Sequence, residues 1–246
     1  MKRIKLIVAY DGTAYNGWQL QPGVRTIEGE LNRCLSELLS EEIQVIGASR
    51  TDSGVHALCN VAVFDTDTCI PTEKISYALN QRLPEDIRIQ DSCAVDDDFH
   101  PRHRSSRKTY EYKIWNAPFL LPTKRLYTHF TYVPLDVELM KKGAAYLIGE
   151  HDFKSFCSTA ATVETTVRTI LDIQIDQEGC EITIRVCGKG FLYNMVRIIA
   201  GTLMEIGRKN YPPEHMQEIL EAKNRQSAGP TAPACGLTLV KYEFLE

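Results

Sequence analysis

The sequence predicts an α+β fold: two ferredoxin-like βαββαβ halves joined into one broad antiparallel sheet with flanking helices. Three observations predict it. Apolar residues alternate with period two in some segments and recur at helical spacing in others. Those segments run in the order β-α-β-β-α-β twice. Between the two series, the acidic run "VDDD" gives way to a basic stretch, which sets the halves at 1–104 and 105–246.

The first half opens with a strand at 3–10, "RIKLIVAY", followed by a loop holding Gly12, Gly17, Pro22 and Gly23. A helix starts at Thr26, with Ile27, Leu31, Cys34, Leu35, Leu38 and Leu39 on one face. Strands follow at 43–49 and 57–65. A helix over 72–82 aligns Ile75, Leu79 and Leu83, and a strand at 86–94 closes the half.

The second half opens with a strand at 108–116, where Tyr110, Tyr112 and Ile114 alternate with Thr109, Glu111 and Lys113. A helix at 135–148 and strands at 166–176 and 181–188 come next. A long apolar helix spans 190–207, with Met195, Ile198, Ile199, Thr202, Leu203 and Ile206 in register. A short helix begins near Pro212 and Pro213. The Gly/Pro-rich loop "RQSAGPTAPACG" leads into a last strand at 237–244. The halves share element order without visible sequence identity. On pattern alone, an unrelated α+β arrangement is the alternative.

The 246 residues suffice for a substantial core. Apolar residues at 43% and charged residues at 24% fit an ordinary globular chain. The eight cysteines form no CxxC pair, so zinc-ligand spacing is absent and no metal site is expected. The start "MKRIKLIVAYDG" lacks the cleavage site of a signal peptide, and no run is long enough to span a membrane. Free thiols fit a reducing cytoplasm.

The net charge of −4 argues against a uniformly basic protein, yet nucleic acid needs only a local patch. Between Pro101 and Tyr127 lie Arg102, Arg104, Arg107, Lys108, Lys113, Lys124 and Arg125, against the single acid Glu111. His100 and His103 adjoin, and Tyr110, Tyr112 and Trp115 are interleaved. Cations for phosphates beside aromatics for bases suit an RNA surface, and the same βαββαβ sheet is the RRM-like platform of many RNA-binding modules. A charged strand edge that resists aggregation is the alternative.

The segment "GASRTDSGVHA" gathers small and polar groups around one carboxylate, as a site would. Asp52 falls on a connection between two expected strands, and Gly54 permits a tight turn. Arg50 is suited to steady a carboxylate or to grip phosphate. On these residues alone, an Asx-turn in which Asp52 caps its own backbone is the favoured reading. "DSG" matches the D-[ST]-G of aspartic proteases, but a second copy is missing. Ser53 and His56 lack a nucleophile elbow, and His56 reads as a packed or hydrogen-bonded histidine. His100 and His103 lack further zinc ligands. "YDGTAYNGWQ" lacks phosphate-loop spacing.

"RTDSGVHA" resembles the signature R-T-D-x-G-V-H-A of the tRNA pseudouridine synthase A family. "AYDGTAYNGWQLQP" with "TIEGEL" resembles the family's opening, and "DDFHPRHRSSRKTYEYKI" its central basic segment. "GEHDFKSFCS", "TTVRTI" and "FLYNMVRIIAGTLMEIG" resemble its second half, and "TAPACGLTLVKYEF" its end. The resemblance runs in order over nearly the whole chain. It departs at Cys59–Asn60, where Gly-Gln is expected, and at His103, where an aromatic is usual. Asn60 is thereby expected to bear on local RNA contacts.

The resemblance implies an enzyme that isomerises uridine to pseudouridine at positions 38, 39 and 40 of the tRNA anticodon stem-loop, after flipping the base from its stack. Pseudouridine synthesis cuts the base at N1, turns it and rejoins it through C5, so no cofactor or metal is implied. By resemblance Asp52 is the catalytic nucleophile and Arg197 its ion-pair partner. Arg197 is a cation within an apolar helix, where an unpaired charge is rare; a snorkelling arginine is the alternative. Tyr110 matches the tyrosine that stacks on the target base, although periodicity alone reads it as a core aromatic. Arg50 matches an arginine linked to base flipping or phosphate contact. The family implies a homodimer gripping the anticodon arm of tRNA, with no membrane partner. A non-catalytic RNA-binding protein on the same platform is the competing reading.

Overall fold

The computed structural model describes residues 1–159 and 163–245. They divide into two compact units, Met1–Ser106 with Leu239–Glu246, and Arg107–Thr238. The class is the α+β fold that the sequence predicts, with mostly antiparallel strand pairing. No helix of the described residues is long and apolar enough to cross a membrane.

The first unit runs β1 (Lys2–Tyr10), α1 (Ile27–Leu39), β2 (Ile46–Gly47), β3 (His56–Thr66), α2 (Ile75–Asn80) and β4 (Ile87–Val95). β1 is central, antiparallel to β3 on one side and to β4 on the other. β3 is also flanked by β2 and by the C-terminal strand, β10 (Leu237–Phe244). Alternation along β1 buries Ile4, Leu6, Val8 and Tyr10. α1 buries Ile27, Leu31, Cys34 and Leu35. Each such large apolar side chain contributes roughly 2 kcal/mol by leaving water. The Thr26 hydroxyl accepts the Gly29 N–H and starts α1, while Glu28 and Glu30 suit the positive end of its dipole. Ser40, at φ 54°, ends it.

Two elements of this unit are shorter than the pattern predicts. The strand expected at 43–49 narrows to Ile46–Gly47. Its earlier backbone donors are taken by α1: Ile43 N–H bonds Ser36 Oγ, and Val45 N–H bonds Asn32 Oδ1. The helix expected over 72–82 is a 3₁₀ turn at Thr72–Lys74 followed by α2. It stops at Asn80, whose side chain exchanges two 2.8 Å hydrogen bonds with the Ile89 backbone.

The second unit contains most of β5 (Ser106–Asn116), then β6 (His129–Thr131), α3 (Val137–Ala145), β7 (Gly149–Asp152), β8 (Val167–Glu178), β9 (Glu181–Gly188), α4 (Met195–Gly207) and α5 (His215–Ala222). Its strands run β5-β9-β8-β7 with antiparallel neighbours. β6 adds to β5 in parallel. β6 and β7 were not signalled: three and four residues are too few to establish a period. α4 begins at Met195 rather than 190, because Asn194 sits at φ 62°, outside helical geometry. Arg197 and Glu205 are the half-exposed positions on a helix otherwise buried from end to end.

Candidate active site

In the first unit, Asp52 lies half-buried on the connection between β2 and β3. Gly54, at φ 78°, follows in the turn, and Val55 N–H closes back on Asp52 O at 3.1 Å. The flanking groups are held by one other segment. Trp18 N–H donates to Thr51 O (3.1 Å), while Gly54 N–H and Ser53 Oγ both donate to Tyr15 O (3.2 Å each). The segment "YDGTAYNGWQ", which offers no phosphate loop, is therefore the cradle of the Asp52 turn. Its glycines allow backbone to meet backbone. A Cβ on Gly17 would stand 2.5 Å from Thr51 O.

Buried side chains back this cradle. The Tyr10 hydroxyl lies 2.7 Å from Thr51 Oγ1. Asn60 is fully buried, accepting Ser49 N–H and donating to Ser49 O. Its side chain therefore supports the loop from within, and the expected influence on RNA contacts has no exposed group to act through. His56 is buried as well. Its Nδ1 accepts Gly12 N–H at 3.1 Å and lies 3.1 Å from Asp11 Oδ1, tying the loop to the end of β1. Arg50 is exposed at the head of the loop.

In the second unit, Tyr110 faces the buried side of β5 with 8% of its surface exposed. Its ring meets Phe191 edge-on, at 5.2 Å between centroids. Arg197 projects from α4. Its Nε donates to Ala232 O at 2.7 Å and its NH1 to Asn194 Oδ1 at 2.9 Å. Ala232 N–H returns a bond to Arg197 O at 3.1 Å. Thus the turn before α4 supports both candidates, Phe191 touching Tyr110 and Asn194 touching Arg197. Periodicity singles out neither residue, and the one local signal is the polar Asn194 directly before an apolar helix.

The basic stretch is less bare than a linear count implies. Lys124 and Lys113 share Glu181, at 2.6 and 3.7 Å. Arg185 pairs with Glu111 at 2.8 Å, and Arg104 with Asp98 at 3.4 Å. Arg102 Nε donates to Gly47 O. His100 and His103 stack at 3.9 Å, so His103 supplies a ring where an aromatic is usual. Burial, then the neighbouring cations, push the His100 pKa down. Among the described residues, no group of three or more His, Cys, Asp or Glu side chains is arranged to hold a metal.

The family model described as tRNA pseudouridine synthase matches residues 6–103 and 144–244. The chain is 45% identical over 244 residues to "tRNA pseudouridine synthase A" of Acetivibrio thermocellus, covering 99% of this chain and 100% of that protein. It is 45% identical to the protein of the same name from Thermoanaerobacter pseudethanolicus, with the same coverage. A third relative of that name, from Brevibacillus brevis, is 45% identical over 97% of this chain and 98% of its own length. Matches of this extent make the chain a member of the tRNA pseudouridine synthase family.

Proposed function

We propose that this chain isomerises uridine to pseudouridine at positions 38, 39 and 40 of the tRNA anticodon stem-loop, acting as a homodimer in the cytoplasm and without a cofactor. The class of activity follows from the family: the chain is a tRNA pseudouridine synthase, an isomerase. In this reading Asp52 is the nucleophile and Arg197 its ion-pair partner. Tyr110 stacks on the target base, and Arg50 assists flipping or holds phosphate. Residues 1–104 carry the carboxylate, and residues 105–246 carry the tyrosine and Arg197.

The observation that carries the reading is the cradle of the Asp52 turn, in a chain that matches its family over nearly its full length. Catalysis by a positioned carboxylate requires its backbone to be fixed before substrate arrives. Such a group is suited to attack sugar or base, or to stabilise a cationic sugar while the N1–C1′ bond is open. The base then turns and bonds through C5, and the C5 proton is lost as N1 gains one. Atoms and electrons balance without a redox partner.

The test is an unmodified tRNA transcript incubated with the purified protein alone. Pseudouridine should form in the anticodon arm. Asp52→Ala should still bind the transcript and form none; full activity in that variant would remove Asp52 from the reaction. Salt-sensitive binding without any product from the parent protein would instead favour a non-catalytic RNA-binding module.

A further inference from the structure

We propose that Tyr15 is a positioning residue for Asp52: its side chain is locked by Asp86 and Arg25, and its carbonyl oxygen holds the catalytic turn. The inference rests on the reading of Asp52 as the reactive carboxylate.

Tyr15 is 2% exposed. Its hydroxyl donates to Asp86 Oδ1 at 2.5 Å, and the Arg25 guanidinium stands 4.6 Å from the ring centroid. Arg25 also lies 4.0 Å from Asp86 Oδ2 and 2.7 Å from Glu30. Burial and then the adjacent Asp86 carboxylate push the Tyr15 pKa well up, so the hydroxyl is a protonated donor at neutral pH. A charge-assisted bond of this kind is among the stronger ones a tyrosine makes.

The other end of the same residue meets the active loop. Tyr15 O accepts from Gly54 N–H and from Ser53 Oγ, the two residues directly after Asp52. The stretch after Tyr15 is pinned independently. Asn16 N–H bonds Arg25 O, Ile27 N–H bonds Gly17 O, and Glu28 N–H bonds Trp18 O. Asp86 O accepts the Asp11 N–H at 2.9 Å, which fixes the stretch before it. Between these anchors, the phenol–carboxylate bond sets the orientation of the Tyr15 peptide, and with it the direction in which Asp52 points. A misplacement of about 1 Å is enough to slow a positioned reaction about a hundredfold.

The test measures kcat and KM for a tRNA transcript with Tyr15→Phe, Asp86→Ala, Asp86→Asn and the double variant Tyr15→Phe/Asp86→Ala. Amide hydrogen exchange at Gly54 is followed in each folded protein. Tyr15→Phe and Asp86→Ala should lower kcat about tenfold and leave KM within about twofold. The Asp86→Asn amide oxygen still accepts the phenol, so this variant should stay close to the parent. The double variant should be no slower than the slower single one, because both remove the same bond. Gly54 exchange should quicken in Tyr15→Phe and Asp86→Ala. Additive losses, unchanged kcat, or unchanged Gly54 exchange would each overturn the proposal. Asp52→Asn separates the two readings. If it turns over like the parent, Asp52 is not the reactive group, and Gly54 exchange still decides whether Tyr15 holds the turn.

Discussion

The Tyr10 hydroxyl and Thr51 Oγ1 meet at 2.7 Å, joining the end of β1 to the residue before the candidate nucleophile. Both side chains are buried, at 5% and 7% exposure, and Asn60 Nδ2 approaches the same hydroxyl at 3.4 Å. Burial holds the Tyr10 pKa far above the ordinary phenol value, so this contact does not titrate in the working range. Tyr10→Phe keeps the ring against Trp18, 5.9 Å away, and removes only the hydroxyl with its contacts to Thr51 and Asn60. The expected cost is about 1–2 kcal/mol in urea unfolding, because the buried Thr51 hydroxyl loses its partner. Turnover should fall by more than tRNA affinity does.

Gly17→Ala tests the close approach of the cradle. Gly17 sits at φ 84°, and an added Cβ would stand 2.5 Å from Thr51 O and 3.1 Å from Asp52 C. A side chain there meets backbone, which has no alternative rotamer to offer. Left-handed strain alone costs roughly 1–2 kcal/mol, and the turn must shift to make room. The expected result is a folded protein by circular dichroism whose single-turnover rate is down by at least about a hundredfold, while tRNA binding measured by filter retention is kept.

These contacts also mark where the sequence was legible. The alternation of Ile4, Leu6, Val8 and Tyr10 and the helical face of Ile27, Leu31, Cys34 and Leu35 are local periods, and each produced a correct element. β2 was overestimated because nothing local indicates that Ser36 and Asn32 take its backbone donors. α4 was started too early because apolar character continues through Leu192, whereas the left-handed Asn194 sets the boundary. The turn at Asp52 was legible as a connection. Its cradle was not, because the partners Tyr15 and Trp18 lie more than thirty residues upstream, and no local pattern in their glycine-containing segment points to Asp52. Counting cations from Pro101 to Tyr127 likewise missed Glu181, which the pairing of β5 with β9 brings to Lys113.

Glu181 makes the charge arrangement testable by pH. The Lys124 ammonium bonded to it, aided by Lys113, holds its carboxyl below the ordinary glutamate range against the opposing effect of burial. A carboxyl depressed in the folded state adds stability above its unfolded pKa. That contribution is lost as pH falls through the lower folded value. Urea unfolding should therefore show an acid loss beginning near the ordinary glutamate pKa of about 4.3 and continuing below it. Glu181→Gln should remove that component and lower stability at neutral pH by less than about 1 kcal/mol, since the carboxylate is partly solvated. A parent and variant with the same slope below pH 5 would show that the pair contributes nothing.

Arg197→Lys separates charge from geometry in the second unit. Two of the arginine's bonds point in different directions, to Ala232 O through Nε and to Asn194 Oδ1 through NH1. Its planar fork fixes both bonds at once, whereas an ammonium on a flexible stem has no equivalent of Nε along its length. Lysine keeps the charge and loses the bond to Ala232, which is 2% exposed and has no ready access to water. The backbone bond from Ala232 N–H to Arg197 O survives the change, so the loop stays docked on α4. A stability loss of about 1–3 kcal/mol follows from the stranded carbonyl. If the guanidinium acts only as a cation toward Asp52, Arg197→Lys should retain much of the turnover once it is folded. If its orientation by Asn194 matters, Asn194→Ala and Arg197→Lys should lose turnover together while tRNA affinity holds. Turnover and affinity measured on the same folded preparations decide between these, and we expect the joint loss, because the fork is held at two points before any substrate binds.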